Sequence, residues 1–118
     1  KLNYINSDKR IISCDSGSKE VDVSKIIYIE SSGHKVTYHI YGKEFGGYVV
    51  KSKLDDIENE LKEYKYLLRV HQSYIVNMMY VNNISSYRVY LKNGIDLGVP
   101  KSRYKEVKKR ILEFKENN

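Results

Sequence analysis

The chain has 118 residues, 41% apolar and 31% charged, which suits a single domain with one modest core and excludes a chain disordered by composition. No window approaches the ~18 consecutive apolar residues of a membrane span, no charged-then-apolar signal segment opens the chain, and a lone Cys14 forms neither an internal disulfide nor a cysteine metal cage. The net charge is +6, but residues 1–60 carry 9 Lys/Arg against 10 Asp/Glu and residues 61–118 carry 12 against 5, so all the excess lies in the second half. A reduced, cytoplasmic compartment is the expectation, with residues 1–118 read as one domain. Because the first residue is Lys1 rather than Met, they are expected to be a piece excised from a longer protein.

Twelve tyrosines, two phenylalanines and no tryptophan favour half-buried pleated surfaces. Leu2 to Ile5 and Ile11 to Cys14 read as strands about Asn6-Ser7-Asp8, and Asp15-Ser16-Gly17-Ser18 turns the chain into Glu20 to Val23. Ile26-Ile27-Tyr28-Ile29 is β-branched and aromatic throughout, as in a strand covered on both faces. Beyond Ser31-Ser32-Gly33-His34, the residues Val36, Tyr38 and Ile40 alternate with Lys35, Thr37 and His39. Gly42-Lys43 then leads to a partner strand through Tyr48-Val49-Val50.

The period changes over Ser52 to Tyr64, where Leu54, Ile57, Leu61 and Tyr64 form one helical stripe. Ser52 with Asp55 resembles a capping box. The exposed face, with Asp56, Glu58, Glu60 and Glu63, would repel phosphates and is expected to lie away from any nucleic acid. Strands return at Leu67 to Val70 and at Ile84 to Leu91. Asn93-Gly94 marks a hairpin into Ile95-Asp96-Leu97, since both turn residues tolerate positive φ. Ser102 is placed to cap a closing helix with the stripe Tyr104, Val107, Ile111 and Phe114, and Pro100 just ahead of it costs no ladder bond. The expected fold is mainly β with two short α-helices.

Little in the chain suggests catalysis. His34, His39 and His71 stand in no metal-ligand spacing, and a five-residue step would put the first two on opposite faces of a strand. Gly42, Gly46 and Gly47 fall in a hairpin rather than between a strand and a helix, so they do not read as a phosphate cradle. Cys14 reads as a small core filler. No enzyme activity, metal or cofactor is expected. Two stretches stand out instead. Arg69-Val70-His71-Gln72-Ser73-Tyr74-Ile75-Val76-Asn77 sets groups able to pair with base edges or phosphates (Arg69, His71, Gln72, Ser73) among apolar anchors. Lys101 to Arg110 holds six basic residues and one acid, Glu106, at a loop leading into a helix, where backbone N–H groups also favour an anion. These read either as a surface for a polyanion or as polar loops and a solvated helix face over a β core.

The same residues carry a family likeness. The "KIIYIES" run at 25–31, "RVHQSYIVN" at 69–77, "LKNG" at 91–94 and "VPKSRYKEVKK" at 99–109 resemble the LytTR-type DNA-binding domain of bacterial response regulators of the LytR/AgrA group, over about residues 8–113. The resemblance implies an elongated, multi-sheet β fold of about ten short strands that binds duplex DNA through three loops, entering successive grooves and bending the duplex. Carried onto matching positions, it implies His34 and Lys35 from one loop, His71, Gln72, Ser73 and Asn77 from the central block, and Lys101, Ser102, Arg103 and Lys105 from the last loop; Lys108, in the basic stretch, is expected to add affinity that does not depend on base sequence. Asn77 also suits a turn-forming role, and Gln72 stands where Arg, Lys or Asn is more usual. Tyr104 follows Arg103 where a second basic residue is common, so either its hydroxyl meets a phosphate or Lys105 takes that role. The resemblance also implies promoter direct repeats bound by two copies, and a phosphorylated receiver domain upstream. From the residues alone, two other readings stand beside this one: a β-rich single-stranded RNA binder stacking bases on Tyr41 or Tyr90, and a protein-interaction module with a basic face.

Overall fold

The computed structural model of the chain describes residues 8–43 and 47–117. The expected strand from Leu2 to Ile5, the Asn6-Ser7 part of its turn, and Gly46 lie outside those residues. The elements run β1 (Lys9–Cys14), β2 (Gly17–Asp22), β3 (Ile26–Ser32), β4 (Lys35–Ile40), β5 (Tyr48–Lys51), α1 (Leu54–Glu60), β6 (Leu67–His71), β7 (Tyr74–Asn77), β8 (Val81–Ser85), β9 (Arg88–Leu91), β10 (Asp96–Gly98) and α2 (Lys101–Glu116). The fold is mainly β, as expected, and its dimensions are 41 × 39 × 26 Å.

Five antiparallel strands form the central sheet in the order β5-β4-β3-β7-β6; β10-β9-β8 form a second sheet, and β1-β2 a hairpin. Side-chain alternation decides what covers each face of the central sheet. Ile29, Val36, Tyr38 and Ile75 point to one side, where Leu54 and Ile57 of α1 and Val21 of the hairpin close over them. Tyr28, Leu68, Val70 and Val76 point to the other, beneath the second sheet and α2, which contribute Val81, Val89, Leu97, Val107 and Ile111. Strand β3 is therefore buried on both sides, as its unbroken apolar run predicts, and the chain holds two cores, one on each face of the central sheet, instead of the single core expected. A register shift between Ile26 and Tyr28 makes Ile27 an extra residue, so Ile27 and Tyr28 both serve the same core.

Four local expectations are corrected. Leu61 and Tyr64 are buried with the α1 stripe, but the helix stops at Glu60 and the chain continues in turns. No capping box forms: the N-cap is Lys53, the Ser52 hydroxyl reaches only the Lys53 carbonyl at 3.5 Å, and Asp55 is taken by Arg69. Ser102 is not a cap either, because Pro100 holds that position with φ −59° and Ser102 lies one residue inside α2. The expected strand from Ile84 to Leu91 is two strands, split by Ser86 and Tyr87 in left-handed backbone at φ 52° and 63°. At Asn93-Gly94 the hairpin forms, yet only Gly94 has positive φ; Asn93 instead accepts the Ile95 N–H at its Oδ1, 3.1 Å away.

Candidate nucleic-acid interface

Antiparallel register decides which connectors share an end of the central sheet. Ser32 faces Lys35, Lys35 faces Lys51, and Glu30 faces Tyr74. The β3–β4 turn (Gly33, His34), the β6–β7 turn (Gln72, Ser73) and the passage from β5 into α1 therefore meet at one end. The Ser31 N–H donates to the Ser73 carbonyl at 2.9 Å and ties the first two turns together. His34, Lys35 and Gln72 are exposed there, and Ser73 is half-buried. Lys35 has Asp15 at 3.9 Å.

Arg69 organises this end rather than facing outward, which corrects its reading as a base- or phosphate-binding group. Its side chain is 9% exposed. It donates to Asp55 (3.0 Å) and Glu58 (2.7 Å) on α1, and to the carbonyls of His71 (2.9 Å) and Gln72 (2.6 Å) in the turn. Its strand position explains this: Leu68 and Val70 enter one core, so Arg69 points to the opposite face, where α1 lies. The planar guanidinium can serve four acceptors at once, which an ammonium could not do in fixed geometry. Within the turn, His71 Nδ1 accepts the Ser73 N–H at 2.9 Å, which leaves Nε2 to carry the proton of the neutral ring.

Asn77 does not reach the surface, so it is withdrawn from the interface. It is 0% exposed; its amide donates to the carbonyls of Ser24 (3.0 Å) and Ile26 (2.8 Å), and its Oδ1 accepts the Met79 N–H at 2.9 Å. Its backbone is extended, φ −91°, so the residue is chosen for its side-chain bonds and not for left-handed geometry.

The residues expected in a last loop lie instead within α2, because the helix starts at Lys101 directly after Pro100, and its first turn shares the Arg69-lined hollow with β6. Val99 N–H donates to the Tyr87 carbonyl at 2.9 Å, and the Tyr104 ring sits 4.5 Å from that of Tyr87, so the β8–β9 turn holds the first helical turn in place. Lys101, Ser102, Arg103, Lys105 and Lys108 are exposed, whereas Tyr104 is half-buried with Lys108 Nζ 5.8 Å from its ring centre. No acidic residue stands in the first turn and no side chain caps it. Cations at the positive end of a helix dipole are unfavourable for the helix alone, and their presence suits an anionic guest. Two surface hollows join the parts. One is lined by Gly33, Asp55, Gln72 and Ser73, the other by Leu68, Arg103 and Arg110, and Arg69 lines both. Gln72 and Arg103 thus line neighbouring hollows that share Arg69, and both are open to solvent.

The pattern of the LytTr DNA-binding domain family matches residues 16–112, most of the chain. The chain belongs to the LytTr DNA-binding domain family. It is 33% identical over 97 residues to the sensory transduction protein LytT of Bacillus subtilis, covering 77% of this chain and 38% of that protein. The chain therefore spans well under half the length of that relative. Among solved structures, the LytTr DNA-binding domain of a Bacillus cereus methyl-accepting/DNA response regulator matches with a TM-score of 0.68 at 23% identity, over 89% of this chain and 96% of that one. That likeness is one of fold.

In this LytTr domain the sequence reading missed two lysines. Lys51 lies directly across from Lys35, and Lys53 caps α1, so three like charges gather at the turn-bearing end. Like charges paired across strands cost stability, which is the signal that could have found them. The first turn of α1 is likewise not remote: Asp55 lines the same hollow as Gln72, with its charge offset by Arg69.

Proposed function

We propose that this LytTr domain reads duplex DNA with the turn-bearing end of its central sheet and the start of α2, as the output domain of a cytoplasmic two-component response regulator. Residues 1–118 act as one domain in this reading. Gln72 and Arg103 take base edges; Arg103 pairs with guanine and Gln72 with adenine through two hydrogen bonds each. His34 supplies a third base contact. His71 Nε2–H, Ser73, Lys35, Lys101, Ser102, Lys105 and Lys108 hold phosphates, joined by Lys51 and Lys53, and Lys105 rather than half-buried Tyr104 serves as the second basic group. Bending the duplex lets the separate turns reach neighbouring grooves. Two copies occupy promoter direct repeats, and the greater length of LytT leaves room in such a protein for a receiver domain.

The observation that carries the reading is that Gln72, in the β6–β7 turn, and Arg103, in the first turn of α2, are both exposed and line hollows that share Arg69. The experiment is an anisotropy titration with a duplex selected from random sequence, a scrambled duplex and a single-stranded RNA, each at two salt concentrations. The selected duplex should bind tightest. Arg103→Ala should weaken it by about 1–3 kcal/mol while leaving the scrambled duplex nearly unchanged. Equal losses on both duplexes would reduce Arg103 to a phosphate contact. Preference for the RNA, or no nucleic-acid affinity at all, would favour one of the two other readings.

A further inference from the structure

The half-open groove between α1, β6 and α2 has a volume of about 370 Å³, within the range of small-molecule sites. Leu67, Leu68 and Ile75 give it an apolar lining. Arg69, also on the lining, is engaged by Asp55 and Glu58. The other cations around it are not engaged: Lys62, Lys65, Arg103 and Arg110 have no ion-pair partner among the described residues, although Glu106 borders the same space. Unpaired cations beside a low-dielectric lining raise the local potential and attract an anion. A bare inorganic anion would leave the apolar lining unused, and a neutral apolar molecule would leave the cations unused. A ligand with a carboxylate on a short hydrocarbon tail satisfies both, the planar forks of the arginines suiting a carboxylate in particular.

We propose that this groove binds a small amphipathic carboxylate, its head on Arg103 and Arg110 and its tail on Leu67, Leu68 and Ile75, and that occupancy opposes DNA binding by engaging Arg103. The second half rests on the reading of Arg103 as a base contact; the first does not. Octanoate is the probe, with acetate (charge without tail) and 1-octanol (tail without charge) as controls, followed by NMR on the full chain without DNA. Octanoate should bind saturably, shifting the resonances of Leu67, Ile75 and Arg110, and the controls should not. Arg110→Gln should weaken octanoate about tenfold, the effect of one charge-assisted hydrogen bond, while changing DNA affinity less than about twofold. Octanoate should then raise the apparent Kd for the selected duplex in the wild type and much less in Arg110→Gln. No saturable binding, or binding indifferent to Arg110→Gln and matched by 1-octanol, would overturn the site. Saturable binding that leaves the DNA titration unmoved would overturn the antagonism. A chain with no duplex affinity would instead sink the DNA reading of Arg103 while the NMR arm still decides the groove.

Discussion

Arg69 shows how one side chain can prepare a surface without belonging to it. Its guanidinium spans from the α1 carboxylates to the carbonyls of the turn that presents Gln72. Because Asp55 and Glu58 are 84% and 51% exposed, the ion pairs are partly screened, and most of the value lies in fixed geometry. Arg69→Lys keeps the charge and loses the fork. Affinity for the selected duplex should fall about tenfold, as one or two charge-assisted bonds are lost, with the salt slope unchanged. A shallower slope would mean that Arg69 itself meets a phosphate. At this scale the central block was legible in the sequence as special, but not its division of labour. Arg69 and Asn77 carry the same hydrogen-bonding groups as outward-facing readers would. Only the direction of each side chain, set by strand alternation, turned them inward.

Among the elements, α2 sets function against stability. Lys101 and Arg103 crowd the positive end of the dipole, with no acid or side-chain cap nearby. Lys101→Glu should therefore stabilise the domain by about 0.3–1 kcal/mol while weakening DNA binding. Thermal melts and anisotropy titrations on the same sample test both halves. A variant that melts lower, or that binds DNA as tightly as before, would contradict the conflict between dipole and ligand. Helical stripes were legible because Leu54, Ile57, Val107 and Ile111 all proved buried. Their ends were not. Caps depend on which partner wins a side chain, and Asp55 was won by Arg69 across the fold. The Ser86-Tyr87 turn escaped notice because neither residue favours positive φ; the flanking β8 and β9 pairing imposes it.

Over the whole molecule, the abundant tyrosines govern response to alkali. Burial is the largest cause holding the phenols of Tyr28, Tyr38, Tyr66 and Tyr80 above their usual 10.0, with neighbouring Glu30, Glu60 and Asp8 adding to it at the first three. In the folded chain these phenols stay protonated at a pH where unfolded ones have ionised. Their contribution to stability is thus complete below pH 10 and is lost as pH rises past it. Urea midpoints should be level from pH 8 to 9.5 and fall by pH 11, and Tyr38→Phe, which keeps the ring and removes the proton, should lessen that fall. An undiminished fall would take Tyr38 out of the account.

Composition, alternation and local motifs by themselves determined the fold class, the strand buried on both faces, the two core stripes and the family, because each is written in the local spacing of apolar, polar and turn-forming residues. What only the tertiary structure decided was which charged and amide groups face solvent together. Register brings residues 33–35, 51–53 and 71–73 to one end of a sheet and places α2 against its edge strand, and those distances are made by pairing between segments far apart in sequence.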